Sequence, residues 1–328
     1  MLSAIERQVI HIRDITRDEA GLFAGFSDNA ERTKAVLIEL WDECRSCPEW
    51  CFVAEEDGHV LARIGFWILP SIVTTFHIGW LALSWTGDYL GVGTELWREV
   101  IKRIRNYGAT NVESALDSDA EFVDQRRRFY EQVDLPLLQE KWEYVWKECT
   151  ALPPLGDRLQ FRTLAEVGEA AFLEAIQRVT QSTLDREDQY VLRTENPVEA
   201  AQRYFGVLKD IDYTPGRWFL AYCRMPISPL PSIVPRPSSP TPPLIGLVAP
   251  QMLNDEVGAI NYIGVLPEHR GKGYVNDLLA KGTSVLREAG ARQVIASIDF
   301  LNHPVLAAAE RAGFKRDISS RIYRLDLP

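Results

Sequence analysis

The sequence predicts an α/β fold of mixed sheets, built twice in tandem. Three observations predict it. Short alternating apolar runs are interleaved with helical patterns of period 3.6 along the whole chain. The order strand, glycine loop, helix occurs twice, at 77–104 and again at 256–289. A proline-bearing joint, Leu152-Pro153-Pro154-Leu155-Gly156-Asp157, separates the two copies. The expected domains are therefore 1–152 and 157–328, which suits a chain of 328 residues better than one domain does. Repeats of short period are absent.

In the first half, 9–14 (VIHIRD) alternates and reads as an opening strand. Residues 30–44 carry helical spacing through Ala35, Ile38, Leu40 and Trp41. Strands at 50–55 and 60–69 flank a turn with Asp57-Gly58 at its centre, a strong hairpin signal. A strand at 77–85 leads into the loop Gly87-Asp88-Tyr89-Leu90-Gly91-Val92-Gly93-Thr94. A helix follows, with Leu96, Trp97, Val100, Ile101 and Ile104 on one face, then a strand at 112–116, a helix at 122–133 and a closing strand at 142–148. The second half reads as strand 159–163, helices 167–179 and 197–211, and strands 218–223, 244–250 and 256–265. After its loop come a helix to 289, strand 293–299, helix 304–312 and strand 314–327. Residues 225–243 are so rich in proline that they exclude regular strand pairing; an extended surface loop, a partner-docking motif or a substrate lid is expected there.

The second loop carries the chemistry. Arg270-Gly271-Lys272-Gly273 follows a proline-marked strand exit at Pro267 and opens a helix with Val275, Leu278, Leu279, Val285 and Leu286 on one face. A helix N-terminus has free N–H groups and the positive end of the helix dipole, so it favours an anion. Glycines let a ligand approach the backbone, and Arg270 and Lys272 add countercharge. The physical reading is a cradle for a diphosphate. The spacing is neither a Walker loop nor a dinucleotide fingerprint.

Arg270-x-x-Gly273-x-Val275 resembles the R-x-x-G-x-[GA] signature of the GNAT superfamily of N-acetyltransferases, with Val275 in place of the usual small residue. The later segment NHPVLAAAERAGF, Asn302 to Phe314, is similar to that superfamily's N-x-x-A-x-x-L-Y-E-x-x-G-F segment. The resemblance implies two tandem GNAT domains, a layout similar to that of the mycothiol synthases. It implies acetyl-coenzyme A as co-substrate, lying in a splay between the fourth and fifth strands of the second domain. Ile263, Gly264 and Val265 would then offer backbone to the pantetheine arm. Arg270, Gly271, Lys272, Gly273, Tyr274 and Val275 would hold the pyrophosphate, and Asn302 would face the thioester end.

The halves are unequal by this reading. The first keeps Gly91 and Gly93, but Asp88 stands where Arg270 stands in the second, and an anion there repels a phosphate. The first half is expected to be degenerate, with backbone binding through Gly91, Gly93 and Thr94 as the competing reading. The superfamily's usual tyrosine acid falls on Ala309, whereas the first half has Tyr130 beside its weaker loop. Tyr262 or Tyr274 could take the acid's place. Acetyl transfer also needs a base for the amine, and Glu256, Asp299 and Asp255 flank the two strands as candidates. His269 and His303 flank the loop and Asn302, which is also a candidate helix cap.

Composition narrows the partners. A net charge of −10 argues against a general nucleic-acid surface. The most apolar stretch, 64–83, is broken by Pro70 and His77 and is no membrane span. The N-terminal residues lack a signal-peptide core, and five cysteines point to a reducing, cytoplasmic setting. Cys44, Cys47 and Cys51 raise a metal question, but no fourth ligand lies nearby in sequence, so no metal is expected. The expected function is transfer of an acetyl group from acetyl-coenzyme A to an amine of a small molecule or peptide. A non-catalytic acyl-coenzyme A sensor, motivated by Ala309, is the alternative.

Overall fold

The computed structural model describes residues 10–27, 29–224 and 242–328. In chain order the first elements are β1 (His11–Asp14), α1 (Ala20–Ala24), α2 (Ala30–Asp42), β2 (Cys51–Glu56), β3 (His59–Trp67), β4 (Thr75–Leu83), α3 (Tyr89–Asn106), β5 (Asn111–Asp117), α4 (Val123–Gln132) and β6 (Leu137–Lys147). Then come β7 (Leu159–Thr163), α5 (Leu164–Val167), α6 (Glu169–Val179), α7 (Arg186–Thr194), α8 (Pro197–Ile211), β8 (Phe219–Cys223), β9 (Leu244–Met252), β10 (Val257–Val265), α9 (Tyr274–Glu288), β11 (Gln293–Asp299), α10 (His303–Arg311) and β12 (Lys315–Asp326). The proline-rich run expected at 225–243 lies outside the described residues, apart from Pro242 and Pro243. Among the described residues no helix is long and apolar enough to cross a membrane.

Two compact units form, Met1–Leu138 with Ser320–Pro328, and Gln139–Ser319. In the first, strands run in the order β1-β2-β3-β4-β5-β12, antiparallel except for β4 against β5. The β2–β3 hairpin closes on Asp57 (φ 49°) and Gly58 (φ 78°), the left-handed pair that an Asp-Gly turn supplies. Leu96, Trp97, Val100 and Ile104 of α3 pack onto Phe52, Ile64, Phe66 and Phe76. In the second unit the order is β6-β11-β10-β9-β8-β7, with β10 and β11 parallel. Its sheet is covered on both faces. Val248 of β9 packs with Leu278, Leu279 and Leu286 of α9, while Leu247 and Ala249 pack with Phe172 and Ile176 of α6 and Phe205 of α8. That alternation is the period of a strand.

The strand at 142–148 was expected to close the first domain. Instead β6 pairs with β11 from Lys141↔Asp299 to Lys147↔Gln293, inside the second unit. The first unit is completed by residues 320–326 of β12, which pair with β5. The joint expected at 153–157 therefore lies within the second unit. Hydrophobic alternation marks a segment as a strand, but it does not say which edge that strand will join.

Candidate active site

Strands β10 and β11 pair only at Val257↔Gln293, Gly258↔Val294 and Ala259↔Ile295. Beyond that point β11 stays with β6 and β10 stays with β9, so their facing edges part. A bulge in β10 between Ile260 and Tyr262 starts the divergence, because an extra residue bends and twists a strand. A cavity of about 650 Å³ opens in the gap. Tyr262, Ile263, Gly264 and Val265 form one side, and Ser297, Ile298 and Asn302 the other. Gly264 is required by packing as well: a Cβ there would stand 2.8 Å from Val179 Cβ.

At one end of the cavity lies the loop. Gly271 and Gly273 sit at φ 76° and 75°, which side chains adopt only at a cost. Gly273 is the N-cap of α9 and uses no side chain as cap. Among the described residues, the N–H groups of Gly271, Lys272 and Gly273 meet no backbone acceptor. Nothing stands within 4 Å of a Cβ placed on Gly271. Unsatisfied donors, open space and a helix N-terminus together fit a diphosphate.

Arg270 lines the cavity and keeps its charge, but its guanidinium is held by the protein's own carbonyls. Its guanidinium donates to the carbonyls of Val265 (3.0 Å), Ser182 (2.7 Å) and Val179 (2.7 Å). It ties the loop to the end of β10 and to the C-terminus of α6. Lys272 is the loop's cation; its Nζ reaches only the Glu268 carbonyl, at 3.2 Å. A residue the sequence reading missed, Arg158, braces the loop from outside. It donates to Lys272 O (3.0 Å) and Asp277 Oδ2 (2.5 Å) and lies 4.9 Å over the Tyr274 ring. Tyr274 thus packs as a platform beside the cavity. Val275 and His269 also line it.

Asn302 occupies the N-cap position of α10, yet its side chain makes no capping bond, and it lines the cavity. Its amide is not needed to start the helix. His303 is exposed and outside the cavity lining. Ala309 is fully buried in the core.

The opposite end of the cavity was not foreseen. The turn between α6 and α7 brings Thr183 and Asp185 to it, the first turn of α7 brings Glu187 and Asp188, and α8 brings Tyr204. Asp185 caps α7, its Oδ1 accepting from Glu187 N–H (3.0 Å) and Asp188 N–H (3.3 Å). Thr183 Oγ1 donates to Asp188 Oδ2 at 3.0 Å. Burial, then the neighbouring Asp185 charge, pushes the Asp188 carboxyl up to about 7. Asp185 is raised as well, chiefly by burial. Lys141 bonds Glu187 Oε2 at 3.1 Å; burial opposes its charge, but Glu187 and Asp185 outweigh that and hold it protonated. The rings of Tyr204 and Tyr262 stand 5.7 Å apart. Burial and the nearby carboxylates raise both phenols well above their ordinary value. The buried Tyr204 hydroxyl makes no close hydrogen bond, yet it lies near enough to the Asp188 carboxyl to favour its ionised form. This end therefore offers proton acceptors of raised basicity and protonated hydroxyls side by side.

Two of the three carboxylates expected as bases, Asp299 and Glu256, are poorly placed to accept a proton. Asp299 lines the cavity, but its carboxylate is fully engaged. Oδ2 accepts from Gln139 Nε2 (2.8 Å), Arg186 N (3.0 Å) and Arg186 Nε (3.0 Å), and Oδ1 accepts from Leu301 N (2.7 Å). Burial alone would raise it, yet these bonds win and hold it below the usual carboxylate range. Glu256 lies outside the cavity lining, in the turn before β10, and its side chain is 65% exposed beside Arg292.

In the first unit β4 and β5 also pair over three residues and then part. There the Asp88 carboxylate accepts from Gly91 N–H at 3.0 Å, so the protein's own anion caps α3. Gly93 is a packing glycine, since a Cβ would meet Phe129 at 2.8 Å. Tyr130 is buried, its hydroxyl 2.8 Å from Ser114 Oγ.

A solved GCN5-related N-acetyltransferase from Sphaerobacter thermophilus is 16% identical, with 97% of this chain and 95% of that one covered and a TM-score of 0.64. A tandem GNAT protein from the clavulanic acid biosynthesis pathway is 14% identical over 97% and 98%, with a TM-score of 0.57. A functionally unknown conserved protein from Staphylococcus epidermidis is 14% identical over 81% and 91%, with a TM-score of 0.52. At such identities the likeness is one of fold. No curated protein matches the sequence. The profile of the acetyltransferase (GNAT) family matches residues 12–134 and 238–314. With a family match in each half and the parted strands of both sheets, the chain belongs to the GNAT acetyltransferases, in their tandem layout, a fold that supports acyl transfer from acyl-coenzyme A.

Proposed function

We propose that the second unit carries out acetyl-coenzyme A-dependent N-acetylation by direct transfer. One observation supports this most. A single cavity runs from the N–H groups at Gly271–Gly273, along the open edge of β10, to the carboxylates of Asp185 and Asp188. When bound, acetyl-coenzyme A supplies an activated acetyl thioester. The loop and the N-terminus of α9 receive its diphosphate, and the backbone of Ile263 and Gly264 meets its amides. Asn302 adds an amide near the reacting end.

Asp188 takes a proton from the acceptor's ammonium, which leaves a neutral nucleophile. The nitrogen then bonds to the acetyl carbon as the carbon–sulfur bond breaks. Tyr262, held protonated, gives its proton to the departing sulfur, and the proton that the new amide nitrogen sheds restores the phenol. Tyr204 packs against it and keeps its ring in place. Two phenols in the cavity answer the want of a tyrosine at Ala309, which was the motive for a binding-only role. All five cysteines are free thiols, which supports a cytoplasmic setting.

The test is calorimetric titration of acetyl-coenzyme A into the full chain, followed by an assay for free thiol with amines supplied. One site per chain and amine-dependent thiol release are expected. Binding without release under any amine would favour the sensor, and absence of binding would overturn the reading.

A further inference from the structure

Four acidic side chains line the cavity: Asp185, Glu187, Asp188 and Asp299. Two are matched by cations. Glu187 pairs with Lys141 at 3.1 Å, and Asp299 with Arg186 at 3.0 Å. Asp185 and Asp188 are bonded only by neutral donors, backbone N–H and the Thr183 hydroxyl, with the Tyr204 hydroxyl beside Asp188 and Lys141 acting on Asp185 from beyond ion-pair distance. Among the described residues no cation lies within ion-pair distance of either. Two desolvated carboxylates side by side are unfavourable unless they share a proton or receive a cation.

The facing wall is of another kind. Tyr204, Val207, Leu208 and Ile211 line the cavity at the i, i+3, i+4, i+7 spacing of one helical stripe of α8. The stripe's one polar atom, the Tyr204 hydroxyl, is buried beside the Asp188 carboxylate.

Resting on the acetyl-transfer reading above, we propose that the acceptor is a primary amine with an apolar body and no carboxylate of its own. Its ammonium sits between Asp185 and Asp188, and its body lies along the α8 stripe. Within reach of the amine, a carboxylate on the acceptor would meet two like charges, while Lys141 and Arg186 are already engaged. A polyhydroxylated body would lose water to Val207, Leu208 and Ile211 and gain no partners. Charge and apolar surface thus act together as selection against amino acids and amino sugars.

The experiment uses the full chain with acetyl-coenzyme A and three acceptors: 2-phenylethylamine, phenylalanine and glucosamine. Thiol release and the acetylated product are both measured. Phenylethylamine is expected to exceed the other two by about 100-fold in kcat/KM, the scale of a like-charge or unpaired-polar penalty in a desolvated site. Asp185→Asn keeps a carbonyl to cap α7. It should shrink the preference over phenylalanine about 10-fold, with acetyl-coenzyme A affinity unchanged. Equal turnover of phenylalanine or glucosamine would overturn the proposal. So would a preference unmoved in the variant, or cofactor binding with none of the three acetylated. In each of those cases acetyl-coenzyme A still binds; a protein that fails to bind it would refute the acetyl-transfer reading itself.

Discussion

Arg270 gives the sharpest test of how the cradle is built. A guanidinium that faces phosphate contributes only when ligand is present. A guanidinium that bonds three carbonyls contributes to the free protein. Arg270→Ala removes donors to Val265, Ser182 and Val179. These bonds are partly exposed, so each is worth about 1 kcal/mol rather than the buried, charge-assisted maximum. The sum is about 2–3 kcal/mol, or about 4–12 °C in the melting of a unit of this size. The assay is thermal unfolding without ligand, followed by titration with acetyl-coenzyme A. The free protein should melt lower, and affinity should fall about 10-fold because the loop is no longer held. Lys272→Ala should do the reverse: unchanged melting, weaker binding and a shallower salt dependence. If Arg270→Ala melts within 1 °C of the parent yet binds over 100-fold more weakly, the side chain belongs to the ligand and the strut is refuted.

In the proposed mechanism Asp188 sets the acid limb of the pH profile. With its carboxylate as the proton acceptor, kcat/KM should rise through about pH 7. Asp185, Glu187, Lys141, Tyr204 and Tyr262 all face it and share in that value. Asp188→Asn should flatten the limb and lower kcat about 100-fold. A carboxyl raised on folding stabilises the native state below its unfolded value and loses that contribution as pH climbs to about 7. Thermal stability should therefore fall from pH 5 to 8 more steeply in the parent than in the variant. Asp299→Asn strips a fully buried carboxylate from Arg186 and should cost about 3 kcal/mol in urea unfolding. A loss of rate without a loss of stability would return it to the catalytic role. Glu256→Gln, on an exposed turn, should leave kcat within about twofold, below what loss of a general base produces. Asp88→Ala removes the cap of α3 and should cost about 1 kcal/mol, while acetyl-coenzyme A still binds once per chain.

Much of this was legible in the sequence because it is local. The alternation of 257–265, the glycines after Arg270 and the stripe of α9 specify a strand, a turn and a helix without reference to anything distant. The helix α7 was not read, because only Val191 among its residues is buried and no apolar stripe announces it. Asp185 and Asp188 hid for the same reason: acidic residues at a helix start read as a cap, and Asp185 is one. Only the fold turns the cap toward a cavity. The carbonyl partners of Arg270 were not legible, since its five donors suit a phosphate and a row of carbonyls equally well. Glu256 and Asp299 were chosen by closeness in sequence to β10 and β11. Side-chain engagement, which sets them apart from Asp188, has no signature in sequence spacing.

The pairing of β5 with residues 320–326 has a consequence for how the protein is made. The first unit's sheet lacks an inner neighbour until a segment roughly 200 residues further along has left the ribosome. At ordinary synthesis rates that is about 10–40 s in which the β5 edge stands unpaired. An unpaired edge next to a formed apolar core is a template for association with other nascent chains. Expression of residues 1–152 alone would freeze the chain in that condition, so it should yield insoluble or chaperone-bound material. Restoring the edge with a synthetic peptide spanning 315–328 should recover soluble protein. The two repeats are thus not separable at the midpoint: the first unit waits for a strand encoded at the far end of the gene, while β6 is made before the sheet it joins.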